Sequence, residues 1–179
     1  MIQRTLVLIK PDAMERGLAG EIISRFERVG LQIIACKLVK PTKVFAKKHY
    51  PVTQEWLAKV GNNSISDCQK YNLDPKEIMG TDDPIEMGKL VHLWNVDQFT
   101  SRDIIAIIFE GIHAVEVARK LAGPTIPVLA PAGTIRGDFS NASAFSENSQ
   151  KKTIRNLVHT SGDPEEAERE IKLWFGELK

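Results

Sequence analysis

"RTLVLIKPDAMERGLAGEIISRFERVGLQIIACKLV", residues 4–39, reads as strand, helix, strand. Residues 4–9, "RTLVLI", are β-rich and stop at "KPDA", a turn signal. Between Leu18 and Val29, the apolar residues Ile22, Ile23, Phe26 and Val29 recur at the spacing of one helix face. Gly30 fits a helix C-cap, and "LQIIACKLV", 31–39, is the second strand.

The rest of the chain repeats this grammar. "DIIAIIFEG", 103–111, is a nearly continuous apolar run, which predicts a third strand covered on both faces. "HAVEVARKLAG", 113–123, is a helix ended by Gly123. "PTKVFAKKHY", 41–50, predicts a short helix carrying His49 and Tyr50. "NLVH", 156–159, is a short fourth strand. "GDPEEAEREIKLWF", 162–175, starts with Asp163 as N-cap, Pro164 at the first position and acidic residues in the first turn. The order predicts the α+β class: a ferredoxin-like, split βαβ sandwich, with a four-stranded antiparallel sheet and helices packed on it.

Two stretches break the pattern. Residues 61–86, "GNNSISDCQKYNLDPKEIMGTDDPIE", are polar and rich in Asn, Asp, Gly and Pro, and read as a long loop. Residues 140–152, "SNASAFSENSQKK", read as a solvated flap. Between the first of these and the third strand, Leu90, Val91, Leu93, Trp94 and Phe99 suit a helix. The expectation is one domain, 1–179, carrying insertions at 61–86 and 140–152.

Bulk properties narrow the function. The 179 residues are 42% hydrophobic and 26% charged, ordinary values for a globular protein. A net charge of +1 gives no general affinity for nucleic acid or anionic membranes. Cys36 and Cys68 lie too far apart for metal-ligand spacing, which fits a reducing compartment. The apolar run near the N-terminus is too short for a signal peptide, and no run approaches membrane-spanning length, so a cytoplasmic location is expected.

Several residues could carry chemistry. Lys10 ends the first strand, where a lysine facing a cleft binds phosphate as a point charge; a solvated strand end is the plainer reading. Arg119 on the 113–123 helix offers a rigid fork, and Thr125 a hydroxyl. Residues 123–154 read as a long loop in which Gly133 and Gly137 bracket Arg136 within "GTIRGDF". In "RNLVHTSG", 155–162, His159 is a competent nucleophile at neutral pH, although a lone histidine is more often structural. Glu170 in "AEREI" could hold the imidazole in one tautomer.

In order, "TLVLIKPDA…RGLAGEIISRFE", "HY", "GIHAVEVARKLAGPTIP", "APAGTIRGDF", "RNLVHTSG" and "AEREIKLWF" closely resemble the nucleoside diphosphate kinase family. The resemblance covers nearly the whole chain outside the two insertions. It implies a ping-pong exchange: a nucleoside triphosphate phosphorylates His159, and a nucleoside diphosphate takes the phosphoryl group away. It implies triphosphate- and ribose-contacting roles for Lys10, Tyr50, Arg119, Thr125, Arg136 and Asn156. Ser161 and Glu170 match the residues that support the histidine. Mg2+ rides on the nucleotide phosphates, with no metal ligand from the protein. The resemblance also implies a homo-oligomer, hexamer or tetramer.

The chain departs from the family where "HGSD" is usual and "HTSG" stands, and where Val52 replaces an acidic residue after Tyr50. Trp56 in "EWLAKVG" is the candidate for the aromatic that stacks on the base. A non-catalytic nucleotide-binding scaffold would need no nucleophile. A nucleic-acid binder on the same sheet is opposed by the near-zero net charge and the lack of an aromatic stripe.

Overall fold

The computed structural model describes residues 1–50 and 52–177; Pro51 and the last two positions of the expected domain lie outside the described residues. In chain order the elements are β1 (Ile2–Ile9), α1 (Pro11–Glu15), α2 (Ala19–Arg28), β2 (Gln32–Val39), α3 (Lys43–His49), α4 (Gln54–Lys70), α5 (Pro75–Met79), α6 (Pro84–Phe99), β3 (Ile104–Ile112), α7 (Ala114–Ala122), a 3-10 turn (Pro127–Leu129), α8 (Ile135–Phe139), α9 (Ala144–Asn148), β4 (Val158–Thr160) and α10 (Pro164–Phe175). Backbone contacts divide the chain into two compact units. One comprises Met1–Pro41, Arg102–Asn141 and Asn156–Lys179; the other comprises Thr42–Ser101 and Ala142–Arg155.

The first unit is the sandwich. Its sheet has the order β2-β3-β1-β4, and each neighbouring pair is antiparallel. β1 and β3 are the central strands, which is why both read as unbroken apolar runs: Thr5 to Ile9 are all buried. Val7, Ile9, Ile107 and Phe109 form a core with Ile22 and Phe26 of α2 and Ala114, Ala118 and Ala122 of α7. Alternate residues of a strand face opposite sides, so Leu6 and Leu8 point away from that core. α10 packs on β1 and buries Ala167, Ile171 and Trp174. Asp163 caps α10, as its sequence predicts, by accepting a hydrogen bond from the Glu166 backbone N–H at 2.8 Å.

The second unit is helical and corrects the reading of 61–86 as a loop. That stretch holds most of α4, all of α5 and the first turn of α6. The N-caps are present in the sequence: Thr53 caps α4, Asp74 precedes Pro75, and Asp83 precedes Pro84. The misreading has a physical cause. The buried face of α4 is Leu57, Gly61, Ser64 and Cys68, a helical stripe of small residues that hydrophobicity barely registers. Smallness is what α4 and α6 need where they meet. A Cβ on Gly61 would fall 1.9 Å from the Pro84 carbonyl oxygen, and one on Gly88 2.3 Å from that of Leu57.

The stretch 140–152 is likewise ordered rather than a solvated flap. Ser143 and Ser146 close a capping box on α9. Glu147 is buried and paired with the Arg155 guanidinium at 2.9 Å, and Asn148 Nδ2 donates to Ser64 Oγ at 3.3 Å. The supposed loop 123–154 also contains the 3-10 turn and α8.

Gly88→Ala tests the close helix approach by its sign. Intrinsic propensity favours Ala over Gly by about 1 kcal/mol in a helix. Overlap with the facing backbone should instead destabilise the protein by ~2–3 kcal/mol, seen as a lower urea midpoint. An unchanged or raised midpoint would show that α4 and α6 stand further apart.

Candidate active site

Within the sandwich unit, β4 is only three residues long, so its ladder to β1 is brief. His159 lies opposite Leu8, and cross-strand partners share a face of the sheet. His159 therefore points to the α10 side, with its side chain 20% exposed. Its Nε2 lies 2.8 and 3.0 Å from the two oxygens of Glu170, which α10 delivers fully buried. A buried carboxylate needs partners. Ser161 Oγ supplies another by donating to Glu170 Oε2 at 2.7 Å, and it accepts the Leu6 backbone N–H at 3.3 Å. An Nε2–H donated to Glu170 puts the ring's lone pair on Nδ1.

Lys10 does not occupy a solvated strand end. It is 5% exposed, and its ammonium donates to Asn156 Oδ1 at 2.8 Å. Asn156 in turn donates from Nδ2 to the Thr125 carbonyl at 3.0 Å. Burial pushes the Lys10 ammonium down from 10.5 to about 8; the carboxylate of Asp12 opposes the shift, and the Arg136 guanidinium adds to it.

Arg136 is buried. Its Nε, Nη1 and Nη2 donate to the carbonyls of Asn156 at 3.1 Å, Gly123 at 2.6 Å and Val158 at 2.7 Å. The guanidinium fork thus gathers the segment before Thr125 and both sides of residue 157. α8, which carries Arg136, is capped by the Thr134 hydroxyl accepting from the Gly137 N–H.

Between Asn156 and Val158 the backbone does something rare. Leu157 has φ +70° and is 1% exposed. The Val158 N–H donates to the Asn156 carbonyl at 2.8 Å, closing a tight turn around Leu157. A bulky residue held in that region costs on the order of 1–3 kcal/mol. Both backbone groups of Leu157 are engaged from the β1–α1 junction: its N–H donates to Asp12 Oδ2, and its carbonyl accepts the Lys10 N–H, each at 2.9 Å. Neither Asp12 nor Leu157 is among the residues expected from sequence. "KPDA" signals only a turn, and an apolar residue beside a strand gives no sign of left-handed backbone.

Arg119 and Thr125 are exposed. The Arg119 head lies beside the segment after His159: a Cβ on Gly162 would be 3.7 Å from its Nη1. At this departure from "HGSD", Asp163 is used as the α10 cap, and Glu166 accepts the Gly162 N–H at 2.5 Å. Tyr50 and Trp56 belong to the helical unit. Tyr50 packs edge-on against His49 and Phe99, and Trp56 lies in the first turn of α4, edge-on to His92 at 6.0 Å. The sandwich unit by itself brings together the other eight expected residues.

A sequence model described as nucleoside diphosphate kinase matches residues 3–58 and 85–179. The nucleoside diphosphate kinase of Pyrobaculum aerophilum is 46% identical over 176 residues, covering 98% of this chain and 96% of that one. That of Borreliella burgdorferi is 34% identical over 177 residues, covering 98% and 88%. Among solved structures, an NDP kinase from Pyrobaculum aerophilum superposes with a TM-score of 0.93 at 43% identity, covering 98% of this chain and 96% of that one. A transition-state mimic of the Borrelia burgdorferi kinase with bound vanadate and ADP gives a TM-score of 0.76 at 34% identity, covering 97% and 87%. Sequence and backbone agree along almost the whole length, and the chain belongs to the nucleoside diphosphate kinase family.

Proposed function

We propose that His159 carries the phosphoryl group in a two-step exchange between nucleoside triphosphates and diphosphates. The observation that carries this reading is the Nε2 contact with buried Glu170, which holds the imidazole in the tautomer whose Nδ1 is nucleophilic. The Nδ1 lone pair attacks the terminal phosphorus. The P–N bond forms as the bond to the bridging oxygen breaks, and the diphosphate leaves with that electron pair. A second nucleoside diphosphate then attacks the same phosphorus and releases the imidazole. Nε2 keeps its proton throughout, so no separate base is needed, and Glu170 offsets the positive charge that the ring acquires.

The remaining work is positioning and charge neutralisation. Lys10 and Arg119 offer cations to the phosphates, with Asn156 beside Lys10 and Thr125 beside Asn156. Arg136 supports the same site through the three carbonyls it gathers. Mg2+ enters with the nucleotide as part of the substrate, neutralising phosphate charge. Tyr50 and Trp56 are assigned to nucleotide contacts by their positions in the family pattern. The single-domain reading with an insertion near 61–86 is supported by the family match, which passes over 59–84; the stretch 140–152 falls within the matched residues.

Self-association is supported by β2. It is an edge strand with Ile33, Ile34 and Leu38 exposed, the last at 63%, and pairing with a second copy would cover it. Among the described residues no helix is long and apolar enough to cross a membrane. The free thiols of Cys36 and Cys68 fit a reducing compartment, and on that ground we assign the protein to the cytoplasm.

Incubation with γ-labelled ATP should give an acid-labile, alkali-stable phosphoenzyme that His159→Ala abolishes. A wild-type protein that never takes up label would remove this reading. The pH profile gives a second test. Lys10 is charged below about 8 and neutral above it, so kcat/KM should fall as pH rises through that value. The stability term has the opposite sense. The folded pKa lies below the unfolded one, so stability from this group is full above 10.5 and declines as pH falls through about 8. Lys10→Arg should abolish the alkaline fall in kcat/KM, and an unaltered profile would place the titration elsewhere.

A further inference from the structure

We infer that Asp12 is a positioning residue for phosphoryl transfer: its carboxylate clamps the left-handed turn at Leu157 and thereby sets the distance between Lys10 and His159. This rests on the reading of His159 as the phosphorylated residue. Asp12 is 6% exposed in the first turn of α1, two residues after Lys10. Its Oδ2 accepts the Leu157 N–H, while the Lys10 N–H donates to the Leu157 carbonyl, each at 2.9 Å. The two bonds fasten both backbone groups of one residue to a single junction.

That residue is the one least able to hold its conformation unaided. Leucine disfavours φ +70°, and its buried N–H must find an acceptor. Asp12 provides that acceptor. On one side of the turn, Asn156 holds the Lys10 ammonium through Oδ1 at 2.8 Å. On the other side, two residues along, stands His159. If Leu157 relaxed to extended backbone, either Asn156 would leave Lys10 or His159 would shift in its three-residue strand. The phosphate-binding cation and the nucleophile would then lose their common frame.

The chemistry predicts what Asp12 must supply, which is an oxygen acceptor more than a charge. Asp12→Ala removes the acceptor. Asp12→Asn keeps one and loses the charge. In single-turnover labelling with γ-labelled ATP, Asp12→Ala should slow phosphoenzyme formation by about 100-fold, the scale of a 1 Å misplacement. The rate constant should fall far more than KM changes. At a pH well below about 8, where Lys10 stays protonated even without the Asp12 carboxylate, Asp12→Asn should stay within about threefold of wild type, since its amide oxygen still accepts the Leu157 N–H.

Amide hydrogen exchange supplies a readout that needs no nucleotide. In Asp12→Ala the Leu157 amide should exchange at least about 30-fold faster, while the central amides of β1 and β3 keep their protection, the mark of local opening. In Asp12→Asn the Leu157 amide should remain protected. A wild-type rate in Asp12→Ala, or an Asp12→Asn variant as slow as Ala, would overturn the inference while wild-type labelling left the phosphohistidine reading intact. A wild type that takes no label overturns both. If Asp12→Ala does not fold, the Asn variant decides: slow labelling or an unprotected Leu157 amide would sink the clamp.

Discussion

A strand of three residues cannot hold a nucleophile by its own ladder, and the architecture around His159 answers that constraint. β4 pairs with β1 over Val158, His159 and Thr160 only. What the ladder lacks is supplied by side chains, from other elements and from the residue that follows β4. Arg136 bonds the carbonyls before and within β4, Asp12 bonds the Leu157 N–H, and Ser161 bonds β1 through Leu6. The imidazole is held last, by Glu170 from α10. Arg136 comes from α8, Asp12 from α1 and Glu170 from α10, so the histidine is fixed only when these elements have packed around β4. A rigid frame of this kind suits a reaction that depends on positioning.

Among the described residues, four charged groups lie buried close to β4: Lys10, Asp12, Arg136 and Glu170. Burying charge is unfavourable unless each group has partners of matching chemistry. Here they do. The Lys10 ammonium meets an amide oxygen, Arg136 meets three carbonyls, and Glu170 meets a hydroxyl and an imidazole. Burial brings the Lys10 ammonium down to about 8. A lysine so poised gains from any phosphate that approaches it, because the anion restores the stabilisation that water no longer provides.

The helical unit shows a different economy. α4 and α6 approach closely because Gly61 and Gly88 carry no side chains, and the buried stripe of α4 is small and partly polar. Such a face stabilises through backbone proximity and dispersion rather than through large apolar surface. Composition therefore points to a loop where the chain is helical. The cap residues Thr53, Asp74 and Asp83 were the legible signal, and each stands at the start of a helix.

Local pattern alone was enough for the sheet and for the helices that flank it. β1, β3, α2, α7 and α10 follow from periodicity and caps, because apolar spacing and N-cap chemistry act within a few residues. The ordered set of short motifs was likewise enough to mark His159 and its companions as candidates. Tertiary structure alone decided which of those side chains are buried and what they bond. Lys10 reads most plainly as a solvated strand end in sequence, and Arg136 as part of a long loop; both are interior in the fold. Asp12 and Leu157 left no local trace, since they meet across 145 residues of chain and their conformations depend on that meeting. A contact of that span is fixed by packing of the whole sandwich, which no window of sequence contains.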